Sequence, residues 1–565
     1  MPKTDRRRKA TPAKEIPMTG GQALVRSLEA HGVTTVFGIP GTHNLAVYDA
    51  LLDSPIRHVS ARHEQGAAFM ADGYARAGES GAVGVCLSTT GPAALNTLTP
   101  LGTAFSDSSR VLCIASQIQA DFLGREKGLL HECSGQSGGF RAVTKWWQQA
   151  TTVEALPWLV REAFAQLGSG RPRPAALEIP CDVLDSEGRP ALPAPLETAP
   201  EHPLPEELSR AGRLLEKARR PVIWAGGGII MAGASNALTR LAERLQSPVF
   251  TTTLGKGAVP EDHPLSGGNT LLHPAGRAYL ETCDLMLAVG TRFKEIETER
   301  WRLKLPEQLI HIDIDPAEIG RNYGVSAAVV GHARPALEGL LELCRGVAPS
   351  RDRVREVKEL RGRIWDECRK RAAGAVELVE CLRAALPRES TLVCDLTAAA
   401  TWCHHLLEVY QPGGFHSPWG FCTLGFGLPA AIGAKLARPR RPVVLLSGDG
   451  GFLFNCQELA TAVECGLPLV MVVFNDKGYG VLRPQQMARY GRTHAADLAG
   501  PDFTALAKAF GAAALRVERL EDLSRNLSEA LRQPGPCLVE VTAPVPWPPI
   551  ETTAGMFAQA DVSTR

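Results

Sequence analysis

Leu446-Ser-Gly-Asp449-Gly-Gly-Phe-Leu-Phe-Asn455-Cys-Gln-Glu458 follows directly on the apolar residues 442–445 and opens a helical pattern. Between the apolar run and the helical pattern stands a single carboxylate, Asp449, among three glycines, Gly448, Gly450 and Gly451. An apolar strand that breaks at a glycine turn and continues as a helix is the repeating unit of a parallel α/β sheet. Asn455 and Glu458 have the spacing of a capping box, with Asn455 as N-cap and Glu458 reaching back to it. Gly466 offers a C-cap and Pro468 prevents continuation. The next apolar run, 469–474, ends in Asn475-Asp476-Lys477-Gly478. The spacing predicts a strand-helix-strand crossover, whose strands are parallel and roughly 5 Å apart where they pair. Asp449 and Asp476 then share the carboxyl edge of one sheet, which is where open α/β sheets bind ligands. Two acids on that edge repel one another unless a cation lies between them, and hard oxygen ligands suit Mg²⁺ or Ca²⁺. Gly448, Gly450, Gly451, Gly478 and Gly480 leave room for a phosphate to reach backbone N–H groups, so a metal diphosphate fits the pattern.

The same alternation extends in both directions. Further apolar runs occur at 33–37, 82–88, 111–116 and 175–179, at 221–225, 285–289 and 309–314, and at 391–394 and 537–541, separated by helical patterns. Strands apolar along their whole length belong to parallel sheets covered on both faces, so the fold class is α/β with three doubly wound parallel-sheet domains. Six prolines between 190 and 205 mark an extended connection. The alternating charges of residues 346–372 read as a solvated surface helix joining two domains. The expected organisation is a disordered basic extension (1–16), an N-terminal domain (17–185), a central domain (203–345), a C-terminal domain (373–545) and a C-terminal arm (546–565).

Composition narrows the function. The 565 residues exceed what one core holds and correspond to about three domains. Sixty-one Lys plus Arg against 60 Asp plus Glu leave no global field for nucleic acid or an anionic membrane, so a charged ligand must be held locally. No apolar run approaches the roughly 20 residues of a membrane span. Fourteen cysteines are scattered with no two closer than nine residues, which points to reduced thiols and a cytoplasmic location.

Gly448-Asp449-Gly450, followed 27 residues after Asp449 by Asp476, resembles the thiamine-diphosphate-binding motif. The likeness extends from about residue 17 to 550. Val36-Phe-Gly-Ile-Pro-Gly41, the segment from Arg62-His-Glu64 to Arg76, Thr90-Gly-Pro92, His311-Ile-Asp-Ile-Asp-Pro316 and Gly425-Phe-Gly-Leu-Pro-Ala-Ala-Ile-Gly433 all look like the acetolactate-synthase-like family. The resemblance implies pyrimidine-binding, central and diphosphate-binding domains in that order. It implies thiamine diphosphate and Mg²⁺ as cofactors, the metal held by the side chains of Asp449 and Asp476 and the carbonyl of Gly478. The family more often has Asn at the position of Asp476, so this site carries an extra negative charge. Glu64 matches the glutamate that hydrogen-bonds the aminopyrimidine and promotes the imino tautomer that deprotonates the thiazolium carbon. Leu424 matches the apolar residue that props the cofactor in its V shape, and the carbonyl of Cys422 would receive its exocyclic amine. Thr397, Gly450, Gly451, Tyr479 and Gly480 complete the cofactor set. Because Glu64 and the metal pair lie in opposite thirds of the chain, the resemblance implies a site at a subunit interface and a homodimer or homotetramer.

The resemblance implies a lyase or transferase acting on a 2-oxo acid, as decarboxylase or as carboligase in acetolactate formation. Where true acetolactate synthases place an acidic and then a basic residue after Arg-Phe in a flavin-binding loop, this chain has Lys294-Glu295 after Arg292-Phe293, which argues against structural FAD. Glu132 stands where those synthases place an active-site glutamine, and Leu130-His131-Glu132 also looks like decarboxylases of guanidino-2-oxo acids. An acid at a pocket mouth would suit a cationic tail, and His131 and Glu132 are the expected substrate residues. Alternatives are a 2-hydroxyacyl- or oxalyl-coenzyme A lyase and a non-catalytic cofactor-binding regulatory protein.

Overall fold

Three six-stranded sheets follow one another along the chain, and every pairing within them is parallel. The structure, a computed structural model, describes residues 17–196, 198–346 and 353–546. The expected basic extension and all but the first residue of the expected C-terminal arm lie outside the described residues. Among the described residues no helix is long and apolar enough to cross a membrane.

The first sheet runs Arg57–Ser60, Thr35–Gly38, Gly84–Ser88, Val111–Gln117, Ala175–Pro180, Trp146–Gln149. In the second the order is Ser266–Gly268, Val249–Thr251, Pro221–Ala225, Leu285–Val289, Gln308–Asp313, Ala327–Val330, and in the third Phe415–His416, Thr391–Cys394, Val443–Gly448, Leu469–Phe474, Cys537–Val541, Ala513–Val517. Central strands such as Val111–Gln117 and Leu469–Phe474 are buried at every position, as their unbroken apolar sequences require. In each sheet the chain winds first toward one edge and then crosses its first strand to wind toward the other. The reversals fall between Thr35–Gly38 and Gly84–Ser88, between Pro221–Ala225 and Leu285–Val289, and between Thr391–Cys394 and Val443–Gly448. Such switch points open a crevice at the carboxyl ends of the strands.

The outer domains are joined face to face. Helix Glu64–Ala77 of the first crosses helix Gly427–Ala437 of the third at glycine contacts, where a β-carbon on Gly73 would lie 2.1 Å from the Ala430 carbonyl oxygen and one on Gly433 1.9 Å from that of Met70. Only residues without side chains allow backbones this close. One apolar cluster therefore holds Phe69 and Met70 together with Ala431 and Leu445. Arg76, buried at the end of the first helix, pairs with Asp72 at 2.8 Å and Asp107 at 3.3 Å and donates to the Ser417 carbonyl at 3.1 Å. It thereby ties the two domains near the segment that leads to Cys422.

The charge-rich segment after residue 346 does form a helix, Arg353–Arg371, but it is not simply solvated. Val357, Leu360, Ile364 and Cys368 recur at three- and four-residue intervals and are buried, the last three in a core shared by the central and C-terminal sheets.

Candidate functional site

Beside the switch point of the third sheet, strands Val443–Gly448 and Leu469–Phe474 pair directly, with Gly448 opposite Phe474. Asp449 opens a short helix, Asp449–Leu453, with its side chain 1 % exposed, and its Oδ2 accepts from the N–H of Gly478 at 2.9 Å. Its Oδ1 is buried with no partner. Asp476 stands beside it, half-exposed, 3.7 Å from Arg483. Burial, reinforced by the neighbouring Asp449 charge, pushes the Asp476 carboxyl up to about 6. An orphaned carboxylate oxygen with a second, reluctant carboxylate at its side is a donor set that fits a divalent cation. Among the described residues no three His, Cys, Asp or Glu side chains converge on one point, so a cation here needs carbonyl and ligand oxygens as well. Space beside the pair is kept by glycine: a β-carbon on Gly450 would lie 2.9 Å from the ring of Tyr479, and one on Gly451 3.3 Å from the Asp395 carboxyl. Thr397, N-cap of helix Ala398–Leu406, lies alongside Gly448.

The capping box expected of Asn455 and Glu458 does not form. Asn455 donates to the Gly425 carbonyl at 2.7 Å, and the helix Glu458–Glu464 begins without a side-chain cap. Glu458 is drawn away by the other domain. Its fully buried carboxylate accepts from the N–H groups of Arg62 at 3.0 Å and His63 at 3.1 Å and from the Thr461 hydroxyl at 2.7 Å. In a capping box the glutamate carboxylate would satisfy one N–H, whereas this placement satisfies two at the start of the helix that begins with Glu64. Gly466, with φ of 59°, and Pro468 end the helix as expected.

Burial pushes the Glu458 carboxyl up to about 7. Because its folded pKa lies above the value of an exposed glutamate, the stability linked to it is present below that value and is lost as pH rises through about 7. Glu458→Gln is expected to lack this loss, so its melting temperature should gain on the wild type from pH 4.5 to 7. Parallel melting curves across that range would refute the assignment.

Asp395 is a second acid that sequence reasoning missed. It follows strand Thr391–Cys394 at the same switch point, is 1 % exposed, and accepts from the N–H groups of Gly425 and Gly427, each at 3.1 Å. Burial pushes it up to about 6. These bonds shape the loop carrying Cys422, whose φ of 53° is left-handed, and Leu424. Thr423 in the same loop meets the Thr103 hydroxyl of the first domain at 2.7 Å.

In the first domain Glu64 begins helix Glu64–Ala77 and accepts from the Asn96 amide at 2.9 Å. A carboxylate at a helix N-terminus is favoured by the helix dipole. Glu64 follows strand Arg57–Ser60, and the loop of His131 and Glu132 lies beyond the carboxyl end of Val111–Gln117, so both belong to one edge of the first sheet. Glu132 does not extend toward a ligand: its carboxylate accepts from the backbone N–H groups of Lys127, Gly128 and Leu129 at 3.3, 2.6 and 3.0 Å.

The switch point of the second sheet opens into a cavity of about 750 Å³ against the first domain, lined by Gly227, Gly228, Gly290, Arg171 and Arg292. At its wall Lys294 pairs with Asp107 at 3.1 Å; the next residue, Glu295, pairs with Arg300 at 2.8 Å outside it.

Three segments of the chain match models of thiamine pyrophosphate enzymes: the N-terminal TPP binding domain over residues 18–138, the central domain over 208–340 and the C-terminal TPP binding domain over 395–541. A probable 2-ketoarginine decarboxylase of Pseudomonas aeruginosa is 40 % identical over 531 residues, covering 93 % of this chain and 94 % of that protein. A probable acetolactate synthase large subunit of Methanocaldococcus jannaschii is 36 % identical, covering 93 % and 92 %. The acetolactate synthase isozyme 2 large subunit of Escherichia coli is also 36 % identical, covering 93 % and 95 %.

Proposed function

Because the chain belongs to the thiamine-diphosphate-dependent enzymes of the acetolactate-synthase-like family, we propose that it decarboxylates a 2-oxo acid bearing a guanidino group, of the 2-oxo-5-guanidinovalerate type. The observation that carries the cofactor half of this reading is the buried, unpartnered Oδ1 of Asp449 beside Asp476 at a sheet switch point. The likeness over nearly the whole chain to a probable 2-ketoarginine decarboxylase supports the substrate half.

In this reading Asp449, Asp476 and the carbonyl of Gly478 hold Mg²⁺. Gly450, Gly451, Thr397, Tyr479 and Gly480 would hold the diphosphate, and Leu424 and the Cys422 carbonyl the ring end. When bound, thiamine diphosphate supplies the electron sink that lets a 2-oxo acid lose carbon dioxide. Glu64 would hold a proton against the aminopyrimidine nitrogen. Asp395 and Glu458 act at one remove, the first shaping the loop of Cys422 and Leu424, the second fixing the backbone just before Glu64. Lys294 and Glu295 are already engaged in ion pairs, and the reading requires no flavin.

A second copy of the chain completes the site. Helix Leu482–Tyr490, which follows the Asp476 loop, has no buried residue and presents Leu482, Met487 and Tyr490 to solvent, while Phe421 and Phe454 are exposed beside the Cys422 loop. Apolar side chains gathered around a site in this way mark a surface that another chain covers.

The test is carbon dioxide release, with thiamine diphosphate and Mg²⁺, from a panel including pyruvate and 2-oxo-5-guanidinovalerate. The expected result is a preference for the guanidino donor by about 100-fold or more in kcat/KM, the scale of a well-placed charged contact. Preference for pyruvate with formation of acetolactate would overturn the substrate assignment in favour of the carboligase reading.

A further inference from the structure

We propose that Lys294 is a positioning residue for the cofactor: through Asp107 it fixes the loop of Gly420 to Leu424, so that the central domain sets the geometry at the ring end of the site. The proposal rests on the cofactor reading above, in which the Cys422 carbonyl and Leu424 hold that end.

Asp107 is the last residue of helix Leu98–Asp107, and its side chain is fully buried. A buried carboxylate is costly unless it is paired, and this one divides its oxygens between two domains. Oδ2 accepts from both terminal nitrogens of Arg76 at 3.3 Å, and Oδ1 accepts from the Lys294 ammonium at 3.1 Å. Arg292, two residues before Lys294, donates to the Ser106 carbonyl at 2.6 Å. The central domain thus grips the end of this helix by side chain and backbone, with both cations where the helix dipole favours positive charge.

The loop passes directly over the pair. A β-carbon on Gly420 would lie 2.3 Å from Asp107 Oδ1 and 3.0 Å from the Lys294 ammonium nitrogen, so only glycine fits against it. Two further contacts follow the same helix backwards. Phe421 packs on Gly102, where a β-carbon would lie 3.0 Å from its ring, and the Thr423 hydroxyl meets that of Thr103 at 2.7 Å. Gly102, Thr103, Ser106 and Asp107 share one helix face, and residues 420, 421 and 423 are seated on it.

Cys422, between those seated residues, has φ of 53°, a left-handed conformation that a non-glycine residue keeps only when its surroundings impose it. Its N–H donates to the Pro418 carbonyl at 2.7 Å, and its own carbonyl keeps its direction only while the neighbours stay fixed. The Cys422 thiol feels the pair directly: burial and then the Asp107 charge push it up, and Lys294 opposes them. An acid at position 294 would set two carboxylates against each other beneath this loop, where like charges repel.

Lys294→Met removes the charge while Asp107 retains Arg76, so the carboxylate is not left bare. In the apoprotein, amide exchange of residues 419–424, read by mass spectrometry, is expected to rise by about 10-fold, a modest step on the range that local opening spans. With thiamine diphosphate and Mg²⁺ bound, exchange of the thiazolium C2 proton in deuterium oxide should slow by about 10-fold, a fraction of the roughly 100-fold that a misplacement of about 1 Å costs. kcat should fall in step, while KM for 2-oxo-5-guanidinovalerate and the affinity for the cofactor, anchored at Asp449, stay close to wild type. Lys294→Arg keeps the charge and should restore both exchange rates, and Lys294→Asp should disturb them most. Gly420→Ala leaves the ion pair in place but lifts the loop from it. It is expected to reproduce the Lys294→Met signature, and it decides the matter where Lys294→Met does not fold. A residue that only joins domains would lower the melting temperature and leave loop protection and C2 exchange per bound cofactor unchanged, and that result in either variant would overturn the proposal alone. A wild type that binds no thiamine diphosphate would overturn the cofactor reading and the proposal together.

Discussion

Asp449→Ala is expected to abolish the dependence of thiamine diphosphate binding on Mg²⁺ and to weaken that binding by at least about 100-fold, since even outer partners of metal ligands cost 10- to 100-fold. Asp449 is the buried member of the pair, and its side chain does two things at once. Oδ2 holds the Gly478 N–H and so fixes the turn after Phe474, while Oδ1 is left without a protein partner. Removing the carboxylate therefore loses both the proposed ligand and the turn that presents the Gly478 carbonyl. Circular dichroism or calorimetry with and without the cation reads the effect, and equal affinity in variant and wild type would place the metal elsewhere. Asp476 adds a pH signature. Burial and then the Asp449 charge push its carboxyl up to about 6, so protons are expected to compete with the cation as pH falls through that value. Asp476→Asn should flatten that fall while keeping a neutral oxygen ligand. The two variants together separate the charge of the pair from its geometry.

How much of this was legible in the sequence depends on what each residue answers to. Strands such as Pro221–Ala225, Leu285–Val289 and Leu469–Phe474 are buried on both faces, so their apolar runs mark them to the residue. The outer strands carry no such mark. Arg57–Ser60 and Trp146–Gln149 are partly exposed and polar, and only pairing with an inner neighbour makes them strands. Asp449 and Asp476 could be placed on a shared edge because a crossover fixes the direction and proximity of its two strands.

Residues whose partners lie hundreds of positions away were beyond such reasoning. Glu458 has the spacing of a local cap, yet its carboxylate serves Arg62 and His63 in another domain. Asp395 stands at a strand tip as Asp449 does, but without a flanking glycine to single it out. Its position immediately after an apolar strand was the available signal. Glu132 suggested a ligand for a cationic tail, and what redirects it is the backbone of its own loop, which no spacing rule describes.

Glu64→Gln is expected to leave the fold and cofactor affinity close to wild type while slowing turnover by about 100- to 10,000-fold, the contribution of a well-placed general acid or base. The amide retains an oxygen for the Asn96 donor and occupies the same volume, so helix Glu64–Ala77 keeps its first turn and its packing on Gly427–Ala437. What it cannot do is hold an acidic proton against the aminopyrimidine nitrogen, so exchange of the thiazolium C2 proton in deuterium oxide should slow in step with turnover. Wild-type rates from this variant would remove Glu64 from the mechanism. The same substitution tests whether one site draws on two chains. If Glu64 of one chain serves the Asp449 pair of another, a dimer of one Glu64→Gln chain and one Asp449→Ala chain has one site with both defects and one with neither. Random mixing of the two inactive proteins should then restore about a quarter of wild-type activity, as isologous two-fold assembly requires. If both residues serve a site within a single chain, every mixed dimer carries a defect in each site and mixing restores nothing.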